Sequence, residues 1–228
     1  MAEAMTWNIP NILTVLRLLA APGVALAFLL LPRPFADWAA LILFVGASVT
    51  DWFDGYLARK WNQTSRFGAM LDPIADKVMV VIALMVVVAA TGMPFLVMLP
   101  ATVILFREVF VSGLREFLGE QAGLLQVTKL AKWKTTIQMV AIAVLLAHGI
   151  FAHEFGMRSM GMDALMTSRV LEGVEADHGN LRYYWMAMGQ SWIAGVGLIW
   201  LAAVLTFVTG WDYFMKSMPF LRDGGQDG

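Results

Sequence analysis

From Asp51 to Lys77 the chain reads DWFDGYLARKWNQTSRFGAMLDPIADK, with aspartates at 51, 54, 72 and 76. Asp51 and Asp54 stand i, i+3 and Asp72 and Asp76 stand i, i+4, so on helices each pair shares a face. Only eight residues separate Arg59 from Gly68. A connection that short makes the two helices antiparallel neighbours, and the four carboxylates converge. Four acids so close cannot all stay ionised without cations. Hard oxygen donors with no histidine or cysteine beside them suit Mg²⁺, Mn²⁺ or Ca²⁺. A pair of such ions is the natural count for four carboxylates that handle phosphate. Asp51, Asp54, Asp72 and Asp76 are therefore the expected metal ligands. The competing structural reading is an ion-paired helix end, with Arg59 and Lys77 as partners. It explains four acids in one apolar setting poorly, because acids there are costly and usually functional. Gly55, Ala58 and Gly68 lie beside the acids; they either let helices approach or leave room for a flat ligand.

Two basic segments follow. REVFVSGLRE carries Arg107, Glu108, Ser112, Arg115 and Glu116, and TKLAKWKTT carries Lys129, Lys132, Lys134 and Thr135. Glu108 and Arg115, at i, i+7, share a helical face. Cations of this kind would bind the phosphate of a charged acceptor. The bland alternative is a flank of snorkelling heads, which suits Lys129 better than Arg107, placed deeper in its apolar stretch. Lys132 and Lys134 point about 200° apart on an ideal helix, so both reach one ligand only if the helix begins near them.

The elements that must position these residues are membrane helices. The chain has 228 residues, is 59% hydrophobic and has a mean hydropathy of +0.69, against about 45–50% apolar residues for a soluble domain. A bilayer core needs about 20 apolar residues per helix. Six stretches qualify, near Asn11–Leu31, Phe35–Arg59, Gly68–Thr91, Pro94–Leu118, Thr128–Ile150 and Tyr184–Met215. The pattern predicts an all-α integral membrane protein in one domain over residues 1–228. A short interfacial segment at Met5–Pro10, a long extracytoplasmic loop at about 151–183 and a polar tail at 222–228 complete it. Pro73 either opens the third helix or kinks it. The N-terminus is expected to be retained, since its first basic residue is Arg17 and Pro10 interrupts early. Nine tryptophans fit interfacial belts. A net charge of −1 gives no sign of nucleic acid as a partner. The absence of cysteine excludes disulfides and thiolate metal sites. Arg59, Lys60, Arg66, Arg115, Lys129, Lys132, Lys134, Lys216 and Arg222 fall on one side of this topology. The positive-inside tendency then places both termini and the four aspartates at the cytoplasmic face of the cell (inner) membrane.

The block Asp51-x2-Asp54-Gly55-x2-Ala58-Arg59-x8-Gly68-x3-Asp72-x3-Asp76 resembles the full signature of the CDP-alcohol phosphotransferases, with every signature position occupied. The resemblance implies six transmembrane helices, a metal site on the cytoplasmic side holding two divalent cations, Mg²⁺ or Mn²⁺, and a homodimer. It also implies the reaction: an alcohol attacks the phosphorus of a CDP-linked lipid and CMP leaves. Asp51, Asp54 and Asp72 would chiefly bind metal. Asp76 would be the catalytic base and a metal contact as well. Asn11, Thr14, Gly55, Ala58, Arg59 and Gly68 would bind the CDP-lipid.

The basic segments, and the N-terminal NIPNILTVLRL with Pro10, Asn11, Thr14 and Arg17, resemble the phosphatidylglycerolphosphate synthases of bacteria within that family. That likeness implies CDP-diacylglycerol and glycerol 3-phosphate as substrates among membrane lipids, with Arg107, Arg115, Lys132, Lys134 and Thr135 on the acceptor phosphate. Two features depart from the pattern: Ala131 stands where glycine is common, and the loop at 151–183 is long. The nearest rival keeps the chemistry and takes inositol phosphate as acceptor. A rival of another class is a divalent-cation transporter, disfavoured because the acids sit at helix ends rather than at the midplane.

Overall fold

The computed structural model describes residues 9–61, 66–119 and 129–222, without the side chains of residues 10, 52–61, 66, 129–132 and 222. It comprises α1 (Ile9–Leu30), α2 (Phe35–Trp61), α3 (Arg66–Ala90), α4 (Phe95–Leu118), α5 (Lys129–Arg158), α6 (Ala164–Glu172) and α7 (Leu181–Arg222), with no strand among the described residues. Five of these, α1, α3, α4, α5 and α7, are long and apolar enough to cross a membrane. α2 has the length, 27 residues, but its second half carries Asp51, Asp54, Arg59 and Lys60. The expected interfacial segment at Met5–Pro10 lies mostly outside the described residues, as does the tail after Arg222.

Side-chain polarity is distributed as a bilayer demands. Leu16, Leu19, Leu29, Ile42, Phe106, Val109, Phe117 and Phe207 face outward, while Asn11, Thr14, Arg17, Lys134, Gln138, Thr206 and Ser217 are buried. Lipid tails are as apolar as leucine, so helices associate here by close packing and polar contacts rather than by hydrophobic burial. Accordingly the centre is rich in alanine. Ala21, Ala40, Ala83, Ala101, Ala141 and Ala202 pack with Phe44, Met79, Leu84, Ile104, Ile142 and Ile199. α1 packs on α2 and α3, α5 and α4 pack on α7, and α5 also meets α2 and α3. α1 thus lies beside the carboxylate-bearing helices, and α4, α5 and α7 group the basic ones.

The stretch expected as a long loop at 151–183 is largely helical, which corrects that boundary. α5 continues to Arg158, α6 occupies 164–172 and α7 starts at Leu181. Asp163 caps α6 by accepting the Met166 N–H at 2.7 Å, and Gly173, at φ +86°, ends it in the left-handed conformation that glycine adopts without strain. Asp177 accepts the Leu181 and Arg182 N–H groups at 2.7 and 3.1 Å and so caps α7. Arg158 donates to the Gly179 carbonyl at 2.9 Å and lies over the Tyr184 ring, tying the end of α5 to the start of α7. Apolarity marks where a helix is inside lipid, not where it ends. Glu154 and Arg158 pair with each other at 3.1 Å on the last turns of α5. For the same reason α7, with 42 residues, is roughly 60 Å long at 1.5 Å per residue, about twice the hydrocarbon thickness. Pro73 lies inside α3, which begins seven residues earlier at Arg66.

Candidate active site

Three elements build the carboxylate cluster. α1 turns Asn11, Thr14 and Arg17 inward, all at most 3% exposed; the i, i+3 spacing keeps them on one face. Thr14 Oγ1 donates to Asp72 Oδ1 at 2.7 Å. Arg17 Nη1 donates to Asp76 Oδ1 at 2.8 Å and pairs with Asp51 Oδ1 at 2.5 Å. One guanidinium nitrogen therefore bridges carboxylates from α2 and α3, bringing Asp51 and Asp76 together on Arg17. Both remain about half exposed while Arg17 is buried. Among the described residues no three carboxylate, histidine or cysteine side chains close on one ion position. Asp54 has its backbone in α2 and its side chain outside the described residues, as do Gly55, Ala58 and Arg59. Gly68 is buried near the start of α3.

This donor set fits divalent cations. The described oxygens are hard ligands. Asp51 and Asp76 share the buried Arg17, and Asp72 is held by Thr14 beside them, so the described residues bring three carboxylates of the right chemistry into one neighbourhood.

The basic residues gather beside this cluster. A cavity of about 550 Å³ is lined by Asp76, Lys77, Arg107, Glu108, Arg115, Lys134 and Thr135, among others. Lys134 Nζ donates to Glu108 Oε1, and Arg107 Nη1 reaches the same oxygen at 3.3 Å. Arg115 lies 5.2 Å from the Tyr213 ring centroid, over its face. Arg107, Arg115, Lys134 and Thr135 are thus brought together, while the Lys132 side chain lies outside the described residues. A second cavity, of about 300 Å³, is lined by Arg17, Ser48, Asp51, Asp76, Thr135 and Thr136. Asp76, Thr135 and Thr136 line both, so Asp76 stands on the wall between a carboxylate-lined and a cation-lined space.

Three residues enter that sequence reasoning did not place in the site. Arg17 was visible only as part of an N-terminal likeness, although a buried arginine in an apolar helix is itself a signal. Glu108 stood in the basic segment and was given no role; it aligns Lys134 and Arg107. Tyr213 lies more than 70 residues beyond the last basic segment and carried no local signal. Lys77, the alternative ion partner of the aspartates, instead lines the larger cavity.

The membrane bundle, the carboxylate pair on α2 and α3 and the two adjoining cavities describe a class of enzyme that works where lipid meets water. A family model for CDP-alcohol phosphatidyltransferase matches residues 7–172, and the chain belongs to that family. Over 226 residues, 96% of this chain and 99% of the relative, it is 59% identical to a CDP-diacylglycerol–glycerol-3-phosphate 3-phosphatidyltransferase of Cereibacter sphaeroides. A protein of the same name from Escherichia coli K12 is 48% identical over 144 residues, 62% of this chain and 78% of the relative.

Proposed function

We propose that this protein transfers the phosphatidyl group of CDP-diacylglycerol to glycerol 3-phosphate, giving phosphatidylglycerophosphate and CMP. The names of its relatives support the reaction, and one observation carries the acceptor. The larger cavity sets four cations, Lys77, Arg107, Arg115 and Lys134, against two carboxylates, Asp76 and Glu108. The excess positive charge suits a phosphate dianion. Glu108 holds Lys134 and Arg107 in register, so the cations are placed before the acceptor arrives, which lowers the ordering cost of binding.

In this reading Arg107, Arg115, Lys134 and Thr135 hold the acceptor phosphate, and the acceptor's hydroxyl lies against Asp76. Asp76 takes the hydroxyl proton as the oxygen attacks the phosphatidyl phosphorus. The bond from that phosphorus to the CMP phosphate breaks, and CMP leaves with the electron pair. Asp51, Asp54 and Asp72 would chiefly hold two divalent cations, Mg²⁺ or Mn²⁺, with Asp76 as a further contact whose main role is that of base; the cations would neutralise the pyrophosphate and the charge on departing CMP. Thr14 orients Asp72 for that task, and Arg17 sets the spacing of Asp51 and Asp76. Asn11, Gly55, Ala58, Arg59 and Gly68 would line the CDP-lipid side.

The test is an acceptor panel: purified protein, CDP-diacylglycerol and one alcohol at a time, following CMP and lipid product. Glycerol 3-phosphate should be the preferred acceptor; preference for inositol phosphate would replace it with the same chemistry on another alcohol. Metal uptake without CMP release would favour a transporter. Arg115→Ala and Lys134→Ala should raise the KM for glycerol 3-phosphate about ten- to a hundred-fold, the worth of a charge-assisted contact of roughly 1.5–3 kcal/mol. The KM for CDP-diacylglycerol should move less. The opposite pattern would assign the basic cavity to the nucleotide.

The same reading gives the chain six spans, with α2 as the second, both termini and the active site facing the cytoplasm, and a homodimeric state. A tag after Gly228 should react from the cytoplasmic side and one near Asp177 from the outside. Labelling of both from one side would mean a different number of crossings.

A further inference from the structure

Gly210 lies inside α7, in a helix where glycine is a poor choice unless something must come close. A Cβ at Gly210 would stand 2.8 Å from Arg107 Cγ, 3.6 Å from its Nε and 3.8 Å from its Cδ. The first of these is closer than side-chain carbons tolerate, and Cγ is no flexible tip. It is the root of the arm that carries the guanidinium.

Arg107 also lines two spaces of opposite character. One is the basic cavity, and the other is an apolar groove of about 400 Å³ between α4 and α7, walled by Phe106, Phe110, Phe207, Gly210, Trp211 and Phe214. The stem crosses Gly210 on the apolar side and the head emerges beside Glu108 on the polar side. Other glycines on α7 differ. A Cβ at Gly195 would meet Leu145 Cδ2, on a core leucine, at 2.7 Å, and one at Gly197 would meet nothing within 4 Å. The family match ends at residue 172, so Gly210 lies outside it.

We infer that Gly210 is a positioning residue for acceptor recognition: its missing side chain is the seat over which Arg107 reaches the acceptor phosphate. The inference rests on the acceptor reading above. A methyl at Gly210 displaces the whole guanidinium, and misplacements on the order of 1 Å cost up to about a hundred-fold in positioned chemistry.

The experiment measures glycerol 3-phosphate binding by calorimetry, and KM for each substrate, on the full-length protein in detergent with Mg²⁺. Gly210→Ala should weaken glycerol 3-phosphate binding and raise its KM roughly ten-fold or more, leaving the KM for CDP-diacylglycerol within about two-fold. In an Arg107→Ala background, which lacks Cγ, Gly210→Ala should add nothing, the non-additivity expected of two residues acting through one contact. Gly195→Ala should lower thermal stability without splitting the two KM values, and Gly197→Ala should change neither. Unchanged acceptor binding in Gly210→Ala overturns the inference, as does an undiminished loss in the Arg107→Ala background. If the parent protein itself does not bind glycerol 3-phosphate, the acceptor reading falls, and the inference with it. Parent binding that Gly210→Ala leaves intact defeats the inference alone.

Discussion

Asp76→Asn is expected to bind CDP-diacylglycerol as the parent protein does and to turn over roughly 10²–10⁴-fold more slowly, the usual worth of a positioned base. The incoming hydroxyl must lose a proton as it attacks, and among the candidate acids whose side chains are described, Asp76 alone stands on the wall common to both cavities. Asp51 lines the smaller cavity alone, and Asp72, bonded to Thr14, lines neither. Glu108 faces the acceptor space but is engaged by Lys134 and Arg107, so its lone pairs serve the cations. Asparagine keeps the size of aspartate and can still meet Arg17, so the helix packing between α1 and α3 should survive. Single-turnover CMP release beside calorimetric nucleotide binding separates the two effects. Near-normal release in Asp76→Asn would remove it as the base and leave a metal-held hydroxide for that role.

How far the residues announced this arrangement depends on the range of the interaction. The spacing of Asp51, Asp54, Asp72 and Asp76 and the short link between them are local facts, and local facts predict helical faces well. α2 and α3 carry these aspartates as expected, with Asp51 and Asp76 meeting at one point. The basic segments were legible for the same reason: Arg107 and Arg115 share one helix, and Lys134 and Thr135 lie in the first turns of the next. What did not show was pairing across the bundle. Nothing near Arg17 says that its guanidinium reaches both Asp51 and Asp76, some 34 and 59 residues away. Nothing near Gly210 says that Arg107 crosses it. The ends of α5 and α7 differ from the expected ones because an apolar window measures the thickness of lipid, while a helix runs on through polar residues such as Glu154, Arg158 and Lys216 as long as its backbone hydrogen bonding continues.

Excess chelator should abolish CMP release and Mg²⁺ or Mn²⁺ should restore it. Asp51→Asn and Asp72→Asn should each lose metal and nucleotide affinity together, by about a hundred-fold or more. The bound for a direct ligand follows from its supporting shell: removing a group that merely orients a ligand costs about 10–100-fold, and removing the ligand should cost at least the upper figure. Thr14→Val tests the lower figure on the same site. It deletes the hydroxyl that donates to Asp72 Oδ1 at 2.7 Å while keeping the β-branched shape, and should weaken metal binding roughly 10–100-fold with little change in fold. The competing account makes the cluster a structural ion pair built around Arg17. It predicts a different pattern, because Arg17 is buried and breaking a buried pair by removing one partner is strongly destabilising. Asp51→Asn would then lower the melting temperature and leave metal affinity where it was. Calorimetric titration of Mn²⁺, run beside thermal unfolding in detergent for all three variants, distinguishes the two. Loss of affinity at near-parental stability places the cation on the carboxylates, whereas loss of stability at parental affinity gives them to Arg17 alone.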